Sequence, residues 1–222
     1  MTKACLFSGG KDSMLALHKV IELGIKIDLL ITMKTLNKES YMFHYPNVDF
    51  SKLQAKSLSI NQVFGATEGK KEKELEDLER IFVENDVRLL VTGATYSKYQ
   101  ADRINAIAKK LEIDHIAPLW HIEPLDELNE LVEKYNVIIT SVSAEGLDTS
   151  LLGRRIDIEI IEKLIEANKK HGVNLLFEGG EAETFVLDAP LFKKKIKVEE
   201  AHVEKKGENG VYLIDKARLV PK

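Results

Sequence analysis

The segment SGGKDS at residues 8–13 constrains the fold of this chain more than any other stretch. It follows the apolar run Ala4–Phe7 and leads into a helical spacing of apolar side chains over residues 14–21, so we predict a strand, a loop and a helix. Adjacent Gly9 and Gly10 adopt backbone angles that other residues avoid, which lets successive N–H groups converge on one point. Because the start of the helix adds further free N–H groups, we predict that the loop binds phosphate.

The side chains of this loop are also suited to binding phosphate. The hydroxyls of Ser8 and Ser13 can donate to phosphate oxygens, and Lys11 adds a positive charge. Asp12 offers the hard oxygen ligand that a magnesium ion bridging phosphates prefers. The alternative is a structural turn in which Asp12 or Ser13 caps the helix, but six matched positions between a strand and a helix favour the phosphate site. The loop is not a Walker A motif, because that pattern requires glycine at Cys5 and serine or threonine at Asp12.

Composition and charge exclude several classes of protein. The 222 residues include 44% hydrophobic and 31% charged residues, with a formal net charge of -4. These values are typical of a soluble globular chain, and they do not predict direct binding of nucleic acid. No apolar run approaches the roughly 20 residues of a membrane-spanning helix, and a single cysteine excludes an internal disulfide. We therefore expect a cytoplasmic protein without membrane contact, and leave open whether it forms a homo-oligomer.

Strand-like and helical segments alternate along the chain. The strand-like runs are Ala4–Phe7, Lys26–Met33, Asn61–Phe64, Arg88–Thr92, Asp114–Ala117 and Asn136–Val142. This alternation predicts an α/β fold with a doubly wound, mostly parallel sheet. The more loop-rich second half predicts a smaller C-terminal α+β lobe, and we place the two domains at residues 1–117 and 118–222. Ligands of such sheets bind beyond the carboxyl ends of the strands, where the loop at Ser8 lies.

A second polar segment, GATYSKYQADR, follows the fourth predicted strand. Gly93 allows close approach of the backbone to a ligand. Ser97, Gln100 and Arg103 are spaced three residues apart, which places Gln100 and Arg103 on one face near the start of a helix. That face can reach a phosphate or a carboxylate, and the alternative is a capped helix with a surface arginine. Trp120, the only tryptophan, is interpreted either as a core anchor or as a wall of a substrate pocket.

The segment EGGEAET at residues 178–184 is the second dense group of polar residues. We expect it between a short strand at Asn174–Phe177 and a second strand at Phe185–Asp188. Three carboxylates within six residues repel one another unless a cation offsets their charge, and ammonium or magnesium would do so. The alternative is an exposed acidic hairpin.

Four remaining features lead to further expectations. His44 lies in an aromatic segment, residues 40–47, and is interpreted as a hydrogen-bonded wall residue rather than a catalyst. The lysines of residues 193–197 are typical of an edge strand protected from aggregation. A hairpin over Ala201–Leu219 is predicted to turn at Asn209-Gly210. Cys5 is expected to pack in the core of the first strand.

Together, SGGKDS, SYMFH, GATYSKYQADR, PLW and EGGEAETFVLDAP resemble the diphthine–ammonia ligase branch of the N-type ATP pyrophosphatases. These enzymes share an SGGxDS phosphate loop, the PP-loop. The resemblance extends from the first strand to about Phe192 and implies an adenine nucleotide alpha hydrolase-like fold. The chain departs from the family pattern at Phe177, where glycine is usual, and at Ala182, where an aromatic residue is usual.

The resemblance also implies roles for individual residues. The residues expected to bind ATP are Ser8, Gly9, Gly10, Lys11, Asp12, Ser13, Met33, Gly93, Ser97 and Gln100, with adenine against the backbone at Met33. The residues expected to act in catalysis are Asp12, Arg103, Glu178, Glu181 and Glu183. The expected substrate pocket contains His44, Tyr99 and Thr184, and Asp12 is the expected Mg²⁺ ligand.

The implied reaction activates the carboxylate of diphthine, a modified histidine of translation elongation factor 2, with ATP. Ammonia then displaces AMP to form the amide diphthamide, so ammonium and the elongation factor are the expected partners and ATP and Mg²⁺ the expected cofactors. Free ammonia is expected, because the lone Cys5 lies within a strand and offers no glutamine-hydrolysing nucleophile.

Two alternatives remain at this stage. One is a PP-loop enzyme that modifies tRNA or a small acceptor, and the other is a non-catalytic ATP-binding regulator. A sulfur-transfer enzyme would need paired reactive cysteines and an RNA enzyme a basic face, and the sequence has neither. A regulator would not need Arg103 together with the carboxylates of residues 178–183.

Overall fold

The computed structural model describes residues 1–35, 46–68 and 71–222. They form nine strands, six α-helices and two short 3-10 turns, which are numbered here in chain order. The strands are β1 (Thr2–Leu6), β2 (Leu29–Thr35), β3 (Asn61–Thr67), β4 (Val87–Val91), β5 (Asp114–Ile116), β6 (Asn136–Val142), β7 (Ala182–Asp188), β8 (Lys195–Lys206) and β9 (Asn209–Val220). The helices are α1 (Lys11–Glu22), α2 (Ser51–Leu58), α3 (Lys71–Glu84), α4 (Lys98–Lys110), α5 (Pro124–Lys134) and α6 (Ile158–His171).

The chain divides into two compact units, and each is assembled from three segments. The first unit contains Met1–Ser8, Asp12–Val48 and Ser59–His121, and the second contains Gly9–Lys11, Asp49–Leu58 and Ile122–Lys222. The division at residue 117 made from the sequence stays a proposal. Within the described part of the chain, no helix is both long and apolar enough to cross a membrane.

The first unit contains a five-stranded parallel sheet in the order β3-β2-β1-β4-β5. The α/β fold class predicted from the sequence is therefore confirmed. The chain runs from β1 outward to β2 and β3, and then continues on the other side with β4 and β5. This change of direction is a topological switch point, and the loops after β1 and β4 lie beside each other there.

Alternation along β1 explains why helices cover both faces of this sheet. Ala4 joins an apolar cluster with residues of α3 and α4, among them Phe82 and Ile107. The next side chain, Cys5, points to the other face, where its Sγ lies 3.9 Å from the Ser13 carbonyl oxygen of α1. Successive side chains of a strand point to opposite faces, so an unbroken apolar run is required. The prediction that Cys5 is buried is confirmed, since it has no exposed surface.

The second unit contains a four-stranded sheet in the order β7-β6-β9-β8, and its strand pairs are antiparallel. This sheet has four strands, against five in the parallel sheet, and it belongs to the C-terminal α+β part that the sequence predicted. The inclusion of Asn136–Val142 among the strands of the parallel sheet was wrong, because β6 pairs with β7 and β9 instead. The bounds of β6 match the prediction, so only the partner of the strand was misassigned.

Two local predictions in the second unit were also wrong. Asn174–Phe177 is a turn rather than a strand, because the Phe177 N–H donates to the Asn174 carbonyl at 3.0 Å and the Leu176 N–H to the Asn174 side chain at 2.8 Å. The β8–β9 hairpin turns at Gly207-Glu208, while Asn209 already pairs with Lys206. Gly207 has φ +66°, which suits the first central position of a two-residue hairpin.

Candidate active site

The predicted strand–loop–helix is confirmed, and its two serines interact directly. The Ser8 N–H donates to Ser13 Oγ at 3.3 Å, and the two hydroxyl oxygens lie 3.2 Å apart. Helix α1 begins at Lys11, two residues after Gly9, whose φ is +88°. The left-handed angle at Gly9 is the conformation for which the pair of glycines was singled out. It turns the chain sharply from β1 into α1.

Gly93 follows β4 and lies against the start of α1 within the first unit. A Cβ atom at this position would lie 2.6 Å from the Asp12 carbonyl carbon and 2.7 Å from the Ser13 nitrogen. The sequence predicted close approach of Gly93 to a ligand, which stays a prediction; in the structure Gly93 lies against the backbone of Asp12 and Ser13. Gly93 therefore brings the loop after β4 against the loop after β1.

In the second unit, residues 9–11 of the phosphate loop are bonded to β7. The Gly9 carbonyl accepts from the Val186 N–H at 3.1 Å, and the Lys11 N–H donates to Thr184 Oγ1 at 3.1 Å. Thr184 was predicted to line the substrate pocket, and it is the last residue of the acidic segment. Residues 9–11 and the strand that carries Glu183 are thus hydrogen-bonded to each other within the second unit.

Gln54 of α2 is a site residue that sequence reasoning missed. Its side chain is fully buried, and its Nε2 donates to the Gly9 carbonyl at 2.9 Å and to the Val186 carbonyl at 2.8 Å. Its Oε1 has no hydrogen-bond partner among the described residues. Ser51, Gln54 and Ser57 are all buried. Their spacing of three residues is the feature of the sequence from which a buried polar face of α2 could have been predicted.

Glu127 of α5 was also missed. Its carboxylate accepts from the Lys11 ammonium at 3.0 Å, and both side chains are almost completely buried. A buried ion pair of this kind constrains where both partners lie, because each charge is stabilised in the interior by the other. The Lys11 ammonium group was expected to bind phosphate, and in this structure it is paired with the Glu127 carboxylate. A buried position in the first turn of α5 gave no distinct signal in the sequence.

The second polar segment forms the start of α4. Ser97 is the N-cap residue and accepts from the Gln100 N–H at 3.4 Å, so the capping alternative describes part of its role. The Arg103 guanidinium carbon lies 3.6 Å from the centre of the Tyr99 ring. Arg103 Nε is buried without a hydrogen-bond partner among the described residues. An unsatisfied donor in the first two turns of α4 can donate to an anionic ligand.

The three glutamates of the acidic segment differ in their surroundings. Glu181 accepts from the Gly179 N–H at 2.8 Å and the Asn174 N–H at 3.1 Å, so its carboxylate organises the turn. Phe177, at the position where the family usually has glycine, has φ +65°. Glycine adopts that angle without steric cost, so the angle is compatible with the glycine that the resemblance implies at this position. Glu183 lies half-buried in β7, next to Thr184.

Three further predicted residues are placed as follows. Met33 is buried in the core of the first unit, where it pairs with Gly65 of β3. Trp120 is 36% exposed and stacks on His121. His44 lies outside the described residues, as does most of its aromatic segment.

His115 of β5 forms a polar network behind the loop that contains Gly93. Its ring nitrogens lie 2.8 Å from Thr92 Oγ1 and 2.7 Å from Asn105 Oδ1. Burial lowers the pKa of His115 below its usual value of 6.5, because a buried imidazolium loses hydration. The neutral ring helps to position Thr92, the residue immediately before Gly93.

A magnesium ion fits this chain only together with phosphate ligands. In residues 1–35, 46–68 and 71–222, no three His, Cys, Asp or Glu side chains are close enough to bind a metal ion by themselves. Mg²⁺ usually takes one or two carboxylates and completes its coordination with substrate phosphates and water. Asp12, half-buried at the start of α1, meets that modest requirement.

Comparison with known proteins gives a consistent result. The family model described as the diphthamide synthase N-terminal domain matches residues 1–115, and that of the diphthamide synthase C-terminal domain matches residues 123–220. The human protein named diphthine–ammonia ligase is 33% identical over 91% of this chain and 85% of its own length. The bovine protein of that name is 32% identical over the same shares. A solved structure from Methanocaldococcus jannaschii, titled as a predicted tRNA methyltransferase subunit, covers 86% of this chain and 98% of its own at 18% identity and TM-score 0.45.

Proposed function

Because this chain belongs to the diphthamide synthase family, we propose that it adenylates the carboxylate of diphthine on translation elongation factor 2 and then amidates it with ammonia. Family membership makes the chain a ligase of diphthamide biosynthesis. The adenylated intermediate, the elongation factor as substrate and a cytoplasmic location are our proposals. The products are diphthamide, AMP and pyrophosphate.

The observation that carries the proposal is the direct bonding between the phosphate loop and β7. Gly9 and Lys11 bond to Val186 and Thr184 through backbone and side-chain groups, and Gln54 connects the same two segments a second time. An enzyme that activates a carboxylate with ATP and then amidates it must hold its phosphates and its acceptor chemistry at a fixed separation. These bonds support the proposal within the second unit, where residues 9–11 and Thr184 lie together.

In the first half-reaction, a diphthine carboxylate oxygen attacks the α-phosphorus of ATP, and the bond from this phosphorus to pyrophosphate breaks. The loop of residues 8–13 and the start of α1 are assigned to the β- and γ-phosphates and to the charge of the leaving pyrophosphate. Arg103, with its unsatisfied Nε, is assigned to an oxygen of the α-phosphate or of the carboxylate. Mg²⁺, with Asp12 as its protein ligand, would neutralise charge on the phosphates.

In the second half-reaction, ammonia attacks the acyl carbon, the bond to AMP breaks, and a proton leaves the nitrogen. We assign the proton to Glu183, because Glu181 is already committed to two backbone N–H groups of its own turn. General acid–base catalysis of this kind contributes typically about 10²- to 10⁴-fold. Glu178 is assigned to the attraction of ammonium into the site and to the acceptance of the proton whose loss converts ammonium to the attacking ammonia.

The Glu183→Gln variant tests this assignment. We expect it to bind ATP normally and to lose about 10²-fold or more of the amidation rate, measured by mass spectrometry of diphthine-bearing elongation factor 2 after incubation with ATP and ammonium. Chromatography of the nucleotides from the wild-type reaction is expected to show AMP and pyrophosphate. ADP with free phosphate would overturn the adenylation step.

The matched control is Glu208→Gln, which changes an exposed carboxylate in the β8–β9 turn and is expected to leave amidation unchanged. Loss of ATP binding in Glu183→Gln, measured by calorimetry, would mean that this carboxylate serves the nucleotide instead. Normal amidation by Glu183→Gln would assign the acidic segment a structural role.

A further inference from the structure

Three aromatic rings form an aromatic cluster in the first unit, which consists of Tyr96, Trp120 and His121. The His121 ring stacks on Tyr96 with centres 5.3 Å apart, and on Trp120 with centres 5.0 Å apart. Tyr96 is 38% exposed and Trp120 is 36% exposed. Large aromatic side chains with this much exposed surface are a reason to look for a ligand.

The backbone holds this cluster in place. The His121 N–H donates to the Thr95 carbonyl at 3.0 Å, and the Trp120 N–H donates to the Ala117 carbonyl at 3.1 Å. His121 has φ +61°, an angle that costs a non-glycine residue about 1–2 kcal/mol. Such strain persists only where the surrounding structure imposes it, and it is frequent at binding sites. The backbone that carries Trp120 and His121 is therefore held in place without a ligand.

The sheet places the aromatic cluster at the edge where ligands bind. Tyr96 follows β4 and Trp120 follows β5, and these neighbouring strands are parallel, so both loops lie at the carboxyl edge with the phosphate loop. In the strand order, β1 separates β4 and β5 from β2, which carries Met33. With adenine expected on the β2 side and phosphates expected after β1, with Gly93, Ser97 and Gln100 beside them, we assign the outer part of the β4–β5 side to the acceptor.

Aromatic rings of this kind recognise organic cations. The negative face of Trp or Tyr attracts quaternary ammonium groups, which are too large and too weakly hydrated to require hydrogen bonds. Tyr99 in the same segment already contacts the Arg103 guanidinium, so the local rings accept a cation. Diphthine is a histidine whose side-chain extension ends in a carboxylate and a trimethylammonium group. We propose that the aromatic cluster binds the trimethylammonium group of diphthine, an inference that rests on the proposed function.

This assignment has a mechanistic consequence. The trimethylammonium group and the reacting carboxylate are attached to the same carbon of diphthine. Binding of the cation by the aromatic cluster therefore positions the carboxylate for attack on the α-phosphorus, and it also selects the trimethylated residue over its precursors. A precursor with a primary ammonium group on the same carbon is more strongly hydrated, so the aromatic rings stabilise its binding less.

The only tryptophan of the chain lies in this cluster, so intrinsic fluorescence reports on the site directly. We expect saturable quenching by tetramethylammonium chloride, and none by sodium chloride at equal ionic strength or by the neutral isostere 2,2-dimethylpropan-1-ol. Replacement of Trp120 by fluorinated tryptophans, which weakens the ring quadrupole without changing shape, should lower the affinity stepwise. Quenching by the neutral isostere, or by adenosine in place of tetramethylammonium, would overturn the proposal.

A kinetic experiment separates the cation from the general shape of the pocket. Trp120→Leu and Tyr96→Leu are each expected to raise KM for diphthine-bearing elongation factor 2 about two- to fivefold, and to leave KM for a factor with the primary amine unchanged. Trp120→Phe keeps a ring and should give a smaller increase. Equal increases for both forms of the factor would overturn the proposal, because the cluster would then be a wall without preference for the cation.

The two experiments distinguish failure of this inference from failure of the proposed function. If the wild-type chain does not amidate diphthine at all, the proposed function fails, and tetramethylammonium quenching still decides whether the cluster binds cations. If amidation proceeds and the quenching and KM differences are both absent, only the present inference fails. ATP binding by calorimetry shows that each variant is folded.

Discussion

Burial raises the pKa of the Cys5 thiol to about 12, because the interior of the sheet does not solvate a thiolate. The thiol is therefore protonated at neutral pH and is unsuited to act as a nucleophile. Cys5→Ser is expected to cost about 1–3 kcal/mol of stability, since it buries a hydroxyl where a sulfur had packed. Amidation should be unaffected, and urea unfolding together with mass spectrometry of the product checks both points.

The same residue predicts a dependence of stability on alkaline pH. Below the usual thiol pKa of 9.0, both folded and unfolded chains keep the proton, so Cys5 gives no pH dependence. Between 9.0 and about 12 the unfolded chain releases the proton first, and stability falls as the pH rises. The Cys5→Ser variant should lack this part of the slope. Parallel slopes for both proteins, or loss of activity in folded Cys5→Ser, would contradict the assignment.

Gly93 provides a second test at the scale of one residue. A methyl group there would overlap the backbone of Asp12 and Ser13, and backbone atoms cannot move aside as a flexible side chain can. We expect Gly93→Ala to cost about 1–3 kcal/mol of stability and to weaken ATP binding in calorimetry, because the start of α1 must shift.

The control for Gly93→Ala is Gly24→Ala. Gly24 has φ +82°, and a methyl group on it would meet no atom of the described residues within 4 Å, so this variant adds strain without overlap. It should lose some stability and keep full ATP affinity. Equal ATP affinities for both variants would show that the contact between Gly93 and the phosphate loop is unimportant for the nucleotide.

At the scale of elements, the Lys11–Glu127 ion pair connects the first residue of α1 to the first turn of α5. Both side chains are almost fully buried, so Glu127→Gln is expected to destabilise the protein by about 3–5 kcal/mol, because it removes a carboxylate charge 3.0 Å from a buried ammonium group. Glu130→Gln removes the carboxylate that pairs with Lys134 at the surface of the same helix. This variant should lower the free energy of unfolding by about 0.5 kcal/mol or less. Urea unfolding measures both. Similar small losses would mean that water reaches Lys11.

The elements also explain the misassigned hairpin turn. Asn-Gly is a strong turn signal, but β8 and β9 form a long ladder whose register pairs Lys206 with Asn209. That register leaves Gly207 and Glu208 as the two turn residues, and Gly207 supplies the positive φ. The pairing of the two long strands therefore determines the position of the turn, and the preference of Asn209-Gly210 for a turn does not.

At the scale of the whole molecule, the second unit is discontinuous in sequence. It includes Gly9–Lys11 and Asp49–Leu58 as well as Ile122–Lys222. A fragment of residues 122–222 alone would leave both backbone groups of Val186 without the partners that Gln54 and Gly9 provide, and it would lack the buried face of α2. We expect this fragment to give a poorly dispersed NMR spectrum and no cooperative unfolding.

The comparison for this experiment is a chain in which residues 49–58 precede residue 122 through a flexible linker. It restores Gln54 and should recover part of the dispersion and of the cooperativity. A well-dispersed spectrum from residues 122–222 alone would show that α2 and the phosphate loop are dispensable for this unit.

The sequence by itself determined the elements whose signals are local. The strand–loop–helix at residues 8–13, the parallel sheet and the buried Cys5 follow from apolar spacing and two glycines, which act over a few residues. The candidate residues near the loop, Gly93 and Arg103 among them, were found because they follow strands. These features need no knowledge of distant contacts.

Only the tertiary structure decided which distant groups meet. The antiparallel partners of β6, the turn at Asn174–Phe177 and the roles of Gln54 and Glu127 depend on residues far away in the chain. Gln54 contacts Val186 across 132 positions, and Lys11 contacts Glu127 across 116. A buried polar side chain is stabilised by its partner and not by its neighbours in sequence, so its role becomes visible only when the partner is in place.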